Sequence, residues 1–264
     1  MSSYKPVTAA LRVLDVLAAV NRLGTQAKLA ELHFETGLDK ATTLRMLETL
    51  THAGYLLRDQ DRATYRPTGK TLSLSSAYDR HVIASNLIGD DLIELRQRIG
   101  WPSDVALMDR DAMLVVKSSR HSEPLHLQRA TGFRAPLLVT SLGLAYLAAC
   151  PAPEREYLIE QAAQDPARWN DLARKRDVLD ARLNTIREQG YAVMDESYSR
   201  GVYDSQFLTI GVAIRCPNQV FGAINTIYLR SALSSEEARE KLLEPLTQLA
   251  AALAQKFEGK LPLD

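Results

Sequence analysis

Lys40, Thr42, Leu44 and Arg45 stand within one short stretch, directly after an aspartate, Asp39. Together they offer two cations, a hydroxyl with a methyl, and an apolar side chain. This is the chemistry of contact with a nucleic acid: lysine holds a phosphate, arginine reaches a guanine edge or a phosphate, and threonine meets a base edge. Thr43 joins the same candidate set, although helical spacing also counts it toward an inward face with Met46, Leu47 and Leu50. Further on, Arg58, Arg62 and Arg66 recur where phosphate or minor-groove contact is expected. The bland alternative is a solvated charged face on a helical interaction module.

A second group of polar residues is scattered over the remainder of the chain. A small-molecule pocket needs an apolar wall and a few convergent polar groups. Met108 is a candidate for the wall, with core packing as its alternative. His121 and Arg129 are candidate carboxylate partners, unless they lie on a solvated loop. Thr140 and Ser141 precede Gly143, where free N–H groups of a helix start can receive an anion. Asn225 falls in an otherwise apolar alternating stretch, so it is either a ligand contact or a core hydrogen bond. Tyr198 and Tyr228 are candidates to stack on, or donate to, an aromatic acid.

Catalysis finds no support in these residues. GxSxG, HExxH, phosphate-loop and dinucleotide-binding patterns are all absent. The chain has two cysteines: Cys150 closes a small-residue helix and Cys216 sits at a turn, so no disulfide framework is expected. His121 and His126 lack a third metal ligand, and no cofactor is expected.

The elements that must position these residues are set by periodicity. Leu11, Leu14 and Leu17 with Val13, Val16 and Val20 give a first helix with one buried stripe. A second helix is expected after Thr25, with Leu29, Ala30 and Leu32 inward, ending near His33-Phe34 before a turn at Gly37. Asp39 caps a third, with Leu38 as a staple residue, and Gly54 ends it. Tyr55–Arg58 and Ala63–Arg66 then read as a hairpin around Asp59–Arg62. Three helices and a basic hairpin make a winged helix-turn-helix.

Residues 77–98 read as one amphipathic helix carrying Ile83, Leu87, Ile88, Leu92 and Leu95, ended by Trp101-Pro102. Beyond it, strands are expected at 104–108, 112–117, 191–194, 207–215 and 220–229. Helices are expected at 141–149, from Pro153 to about 161, at 171–189 and from Ser234 to Phe257. This order predicts a mostly antiparallel sheet flanked by helices, and an α+β chain of two domains. The divisions are 1–69 for the winged helix, 70–98 for hinge and linker, and 99–264 for the second domain.

Composition sets the bounds. The 264 residues are 46% hydrophobic and 24% charged, ordinary globular values that exclude a collagen-like or disordered chain. Net charge is zero, which excludes a histone-like protein but not a DNA binder whose basic domain is offset by an acidic one. No stretch approaches a membrane span, and Lys5, Arg12 and Asp15 break the N-terminal apolar pattern, so a soluble, cytoplasmic protein is expected.

The run from Gly37 to Tyr55 resembles the IclR family of bacterial transcriptional regulators. Gly37, Leu38, Lys40, Thr42, Arg45, Leu47, Thr49, Leu50, Gly54 and Tyr55 stand where that family's motif has them. The sequence departs at Ala41, Met46 and Pro67-Thr68-Gly69. Later parts of the family pattern fall at Gly132, Arg134, Thr140, Ser141, Gly143, Gly190-Tyr191, Asp195-Glu196 and Gly201-Val202. Leu144 replaces a lysine there, and Ile210–Ile214 lacks a proline.

The resemblance implies a GAF-like second domain that binds an effector, with Asp195 among its polar contacts and suited to a phenolic hydroxyl. Residues 101–107 and 225–228 look closest to the branch that controls catabolism of hydroxyphenylpropionate and related aromatic acids. The same resemblance implies a ligand-responsive regulator, an activator by that branch, binding double-stranded operator DNA as a homodimer or dimer of dimers. Its effector would be a small organic acid, and an activator would also contact RNA polymerase. The alternatives are a repressor answering a short aliphatic acid or sugar-derived effector, a scaffold that binds no DNA, and, more weakly, a hydrolase or isomerase.

Overall fold

The structure, a computed structural model, describes residues 5–75, 80–120, 131–217 and 219–261. The chain divides into two compact units, 1–78 and 79–264.

The first unit packs α1 (Thr8–Leu23), α2 (Leu29–Thr36) and α3 (Lys40–His52) against a small antiparallel sheet. That sheet holds β2 (Leu56–Asp59) and β3 (Thr64–Pro67), the expected hairpin shifted by one residue, together with β1 (Ala27–Lys28). Periodicity gives no sign of β1, because two residues carry no period. Val16, Leu17, Val20, Leu32, Leu47, Leu50 and Leu56 form the core. The stripe expected on α1 is only half buried: Leu11 and Leu14 are 50% and 59% exposed. The start of α2 is also corrected. Its N-cap is Lys28, whose backbone N–H donates to Glu31 at 3.0 Å, and Ala30 faces solvent.

The second unit begins with α4 (Arg80–Ile88) and α5 (Asp91–Ile99). The single helix expected over 77–98 is therefore two, broken at Gly89 (φ 52°) and Asp90. Ala84, Ile88, Leu92 and Leu95 from this pair join the core of the second unit. Six antiparallel strands follow in the order β6-β5-β4-β9-β8-β7: β4 (Ser103–Asp109), β5 (Ala112–Ser118), β6 (Arg134–Pro136), β7 (Ala192–Val193), β8 (Phe207–Cys216) and β9 (Gln219–Leu229). β8 and β9 are almost wholly buried because helices cover both faces of the sheet.

One core joins the sheet to α4, α5 and α10 (Ser235–Phe257). Another joins it to α6 (Ser141–Ala149), α7 (Ala152–Gln164) and α8 (Arg176–Gln189). The helix expected from Asp171 starts instead at Arg176, after a 3₁₀ turn over Arg168–Arg174, and Val178 lies outside its buried stripe. A further helix, α9 (Glu196–Tyr203), has no counterpart among the expected elements.

Candidate nucleic-acid interface and ligand pocket

The helix that presents Lys40 and Arg45 is fixed at its start by Asp39. The Asp39 carboxylate accepts the Thr42 backbone N–H at 2.9 Å and the Thr42 hydroxyl at 2.7 Å. These hydrogen bonds hold Asp39 below the usual carboxylate range, since they favour its charged form. Gly37, in the left-handed region at φ 65°, turns the chain sharply enough for α2 and α3 to meet. At the far end, Lys70 Nζ donates to Ala53 O at 2.8 Å and lies over the Tyr55 ring.

Lys40, Arg45, Arg58, Arg62 and Arg66 are all exposed, while Thr42 and Leu44 are partly so. The Thr42 hydroxyl is committed to Asp39, which leaves its methyl for contact. Thr43 is corrected: it is fully buried, and its hydroxyl donates to Asp39 O at 2.9 Å, so it cannot touch DNA. On the hairpin, the Arg58 guanidinium lies 5.9 Å from the centroid of the Tyr65 ring. The Asp59 carboxylate accepts the Asp61 and Arg62 N–H groups and shapes the tip that carries Arg62.

In the second unit, strand register builds a small polar cavity. Asp104 on β4 lies opposite Asn225 on β9, and Ile227 lies opposite Thr209 on β8. All four line the cavity with Arg120, Thr140, Phe133, Met194, Tyr198 and Tyr203. Its free volume is about 20 Å³, room for one water and little more. Arg120 grips Asp104 in a two-pronged ion pair through Nε and Nη2. The two side chains are 12% and 3% exposed. The remaining nitrogen, Arg120 Nη1, is shielded from solvent and has no hydrogen-bond partner among the described residues. An unmet buried donor costs about 1–3 kcal/mol, more on a charged group, so the site favours an added acceptor. Tyr198 stacks edge-on against Trp169 at 4.8 Å and Tyr203 at 6.2 Å, which gives the cavity an aromatic wall.

Of the residues singled out from sequence, Thr140, Tyr198 and Asn225 come together here. The Thr140 hydroxyl is already engaged, donating to Pro136 O at 2.7 Å and accepting the Gly143 N–H at 3.1 Å. Gly143 therefore offers no free N–H for an anion. Ser141 is buried, and its hydroxyl is hydrogen-bonded to the Thr209 hydroxyl at 2.6 Å, with either able to donate. Asn225 Oδ1 accepts the Asp104 N–H at 3.2 Å, so its carbonyl serves the sheet.

Met108 packs in the core with Met113 and Ala135, on the inward face but beyond the cavity. Asp195 caps α9 through Ser197 and pairs with Arg182 at 2.6 Å, outside the cavity lining. Alternation along β9 turns Asn225 and Ile227 toward the cavity and Tyr228 away from it, toward Ser235. Burial pushes the Tyr228 hydroxyl up. His121 and Arg129 lie outside the described residues. Arg120 and Asp104 are not among the residues that spacing singles out, yet one signal is legible: a carboxylate at an inward position of an apolar strand demands a partner.

Among the described residues of the two regions, no nucleophile, base and orienter are brought together. Burial pushes the Cys150 thiol up to about 12, which disfavours the thiolate. Among the described residues no cluster of His, Cys, Asp or Glu is placed to hold a metal, and no helix is long and apolar enough to cross a membrane.

Two family models divide the chain between them. Residues 9–60 match the IclR helix-turn-helix domain, and residues 80–255 match the C-terminal domain of the bacterial transcriptional regulator IclR. The chain belongs to the IclR family. Its members are non-enzymatic regulators that bind operator DNA and small-molecule effectors, typically as oligomers. The chain is 29% identical over 197 residues to the HTH-type transcriptional regulator TsaQ1/TsaQ2 of Comamonas testosteroni, covering 73% of this chain and 68% of that one. It is 26% identical over 253 residues to the DNA-binding transcriptional repressor YiaJ of Escherichia coli, covering 93% and 86%. Among solved structures, an IclR homologue from Microbacterium hydrocarbonoxydans complexed with 4-hydroxybenzoate shares its fold, with a TM-score of 0.63 at 17% identity over 95% of this chain and 99% of that one.

Proposed function

We propose that this IclR-family regulator controls an aromatic-acid catabolic operon and senses the acid at Arg120. The observation that carries the reading is the buried guanidinium with one unmet nitrogen, held by Asp104 beside Asn225 and walled by Tyr198, Tyr203 and Phe133. A carboxylate supplies the missing acceptor, and the rings suit a flat aromatic body. The 4-hydroxybenzoate held by the Microbacterium homologue is in keeping with this.

In this reading residues 1–69 read the operator, 99–264 sense the effector, and 70–98 couple them. Lys40, Thr42, Leu44 and Arg45 face the major groove, with Arg58, Arg62 and Arg66 on the backbone or minor groove. The sign of regulation is activation, through contact with RNA polymerase. Repression is the second reading, favoured by the description of YiaJ as a repressor.

The experiment is a selection of bound DNA fragments from a random library, followed by calorimetry with benzoate, 4-hydroxybenzoate, a hydroxyphenylpropionate and pyruvate. Sequence-specific DNA together with binding of an aromatic acid is expected. DNA selected without preference would overturn the regulator reading in favour of a scaffold. Binding of pyruvate alone would overturn only the aromatic assignment. Transcription from the selected promoter with purified polymerase, with and without the acid, gives the sign.

A further inference from the structure

A larger concavity lies elsewhere in the second unit, between α6, α8, β8 and α10, with a volume of about 610 Å³. That is the size of ordinary small-ligand pockets, and it shares no lining residue with the cavity at Arg120. Its floor is made of small apolar side chains, among them Ala145, Ala148, Ala213 and Ala250. Its rim carries three arginines, Arg155, Arg187 and Arg215, and among the described residues no acidic side chain lines it.

Two of the arginines are fixed in place at the end of α6: Arg187 Nε donates to Ala148 O at 2.8 Å, and Arg155 Nη1 donates to Cys150 O at 3.0 Å. Arg187 Nη1 also donates to Asn184 Oδ1, which leaves its Nη2 for a ligand, and Arg155 keeps Nη2. Arg215, exposed at the end of β8, makes no ion pair or side-chain hydrogen bond among the described residues. Burial, and after it the neighbouring Arg155, hold Arg187 below its ordinary value, with Asp180 opposing them. Asp180 itself is engaged by Arg176 at 2.8 Å. Three cations around an apolar floor lower the free energy of a bound anion that brings apolar surface with it.

We infer that this groove is a second ligand site, for an amphiphilic organic anion with one carboxylate, sulfonate or phosphate head and a flat or aliphatic body. The head meets the arginine rim and the body lies on the alanines. The site is separate from the aromatic-acid cavity and gives the regulator a second chemical input.

The test uses the full chain and 1-anilinonaphthalene-8-sulfonate, an apolar aryl sulfonate whose fluorescence rises on leaving water. A saturable signal is expected from the unaltered protein. Arg215→Glu should weaken it by roughly tenfold or more, because charge at the rim is reversed, while Arg215→Lys retains it. Ala251→Trp places an indole at the groove from an exposed position on α10 and should abolish the signal. Both positions are exposed, so unaltered circular-dichroism melts are expected. Added 4-hydroxybenzoate should leave the signal unchanged. Equal signal in Arg215→Glu and Ala251→Trp, or displacement by 4-hydroxybenzoate, would overturn the assignment. So would a fall in particle mass by light scattering in both variants, which would make the groove a contact between copies.

Discussion

Arg45 and Lys40 are both exposed on α3, yet they should fail differently when removed. Arg45→Ala is expected to cost about 1–3 kcal/mol against the selected operator and to relax preference at one base position. Lys40→Ala should weaken all sequences alike and lower the salt slope by about one. Anisotropy titrations at two salt concentrations separate these outcomes. Thr43 shows what residue spacing leaves open. Its residue type suits a base contact while its spacing with Leu47 and Leu50 suits the inward face, and its complete burial decides for the core. Asp195 makes the other prediction at this scale. Burial raises its carboxyl, but Ser197 and Arg182 outweigh that, and the net value lies below 3.8. A depressed folded value stabilises above the unfolded value and is lost as pH falls through the folded one. Urea melts of the second unit should therefore weaken below pH 3.8, and less so for Asp195→Asn, which keeps the cap without the charge.

Elements with a long period or a strong cap are legible in the sequence, and short ones are not. Asp39 announces α3, and Ser234 with Glu237 forms a capping box that starts α10. The two-residue β1 is held by pairing with β3, which no local pattern records, whereas α9 carries a local cue in its N-cap Asp195 but is only eight residues long. The break between α4 and α5 is hidden because the apolar spacing continues through it, while Gly89 is the visible cue. Gly143 reads in sequence as a helix-start residue, but its reason is packing. A Cβ there would meet Leu137 O at 2.2 Å, backbone that cannot move aside cheaply. Gly143→Ala should destabilise the second unit by about 1–3 kcal/mol or more in a thermal melt, leaving the transition of the first unit in place.

At the scale of the whole molecule, one recognition helix per chain binds too little DNA for a specific operator, so symmetry must supply a second. Val7, Leu11 and Leu14 leave an apolar strip on α1 that the first unit does not cover. Light scattering at micromolar concentration should give at least twice 29.3 kDa. Leu11→Glu with Leu14→Glu should cut operator affinity steeply without lowering the melting temperature. A monomer in the unaltered protein would count against paired half-sites. The division into two units and the antiparallel sheet are readable from the order of elements. The cavity is not, because Asp104 and Arg120 meet only after β4 and β5 fold back on each other.

The cavity around Arg120 holds about 20 Å³, far less than an aromatic ring displaces. If the effector binds here, as proposed, it must wait for a rarer, wider arrangement of the walls that Tyr198, Tyr203 and Phe133 make. Its apparent dissociation constant is the intrinsic one divided by the fraction of time that arrangement exists. With the cavity open only about one hundredth of the time, a micromolar contact reads as roughly a tenth of a millimolar. Under the proposed function, regulation would then ignore traces of the effector and respond only once it has accumulated. In that reading the threshold is set by how tightly the cavity closes, and a substitution behind the wall, at Trp169 against Tyr198, would shift it without removing a lining residue.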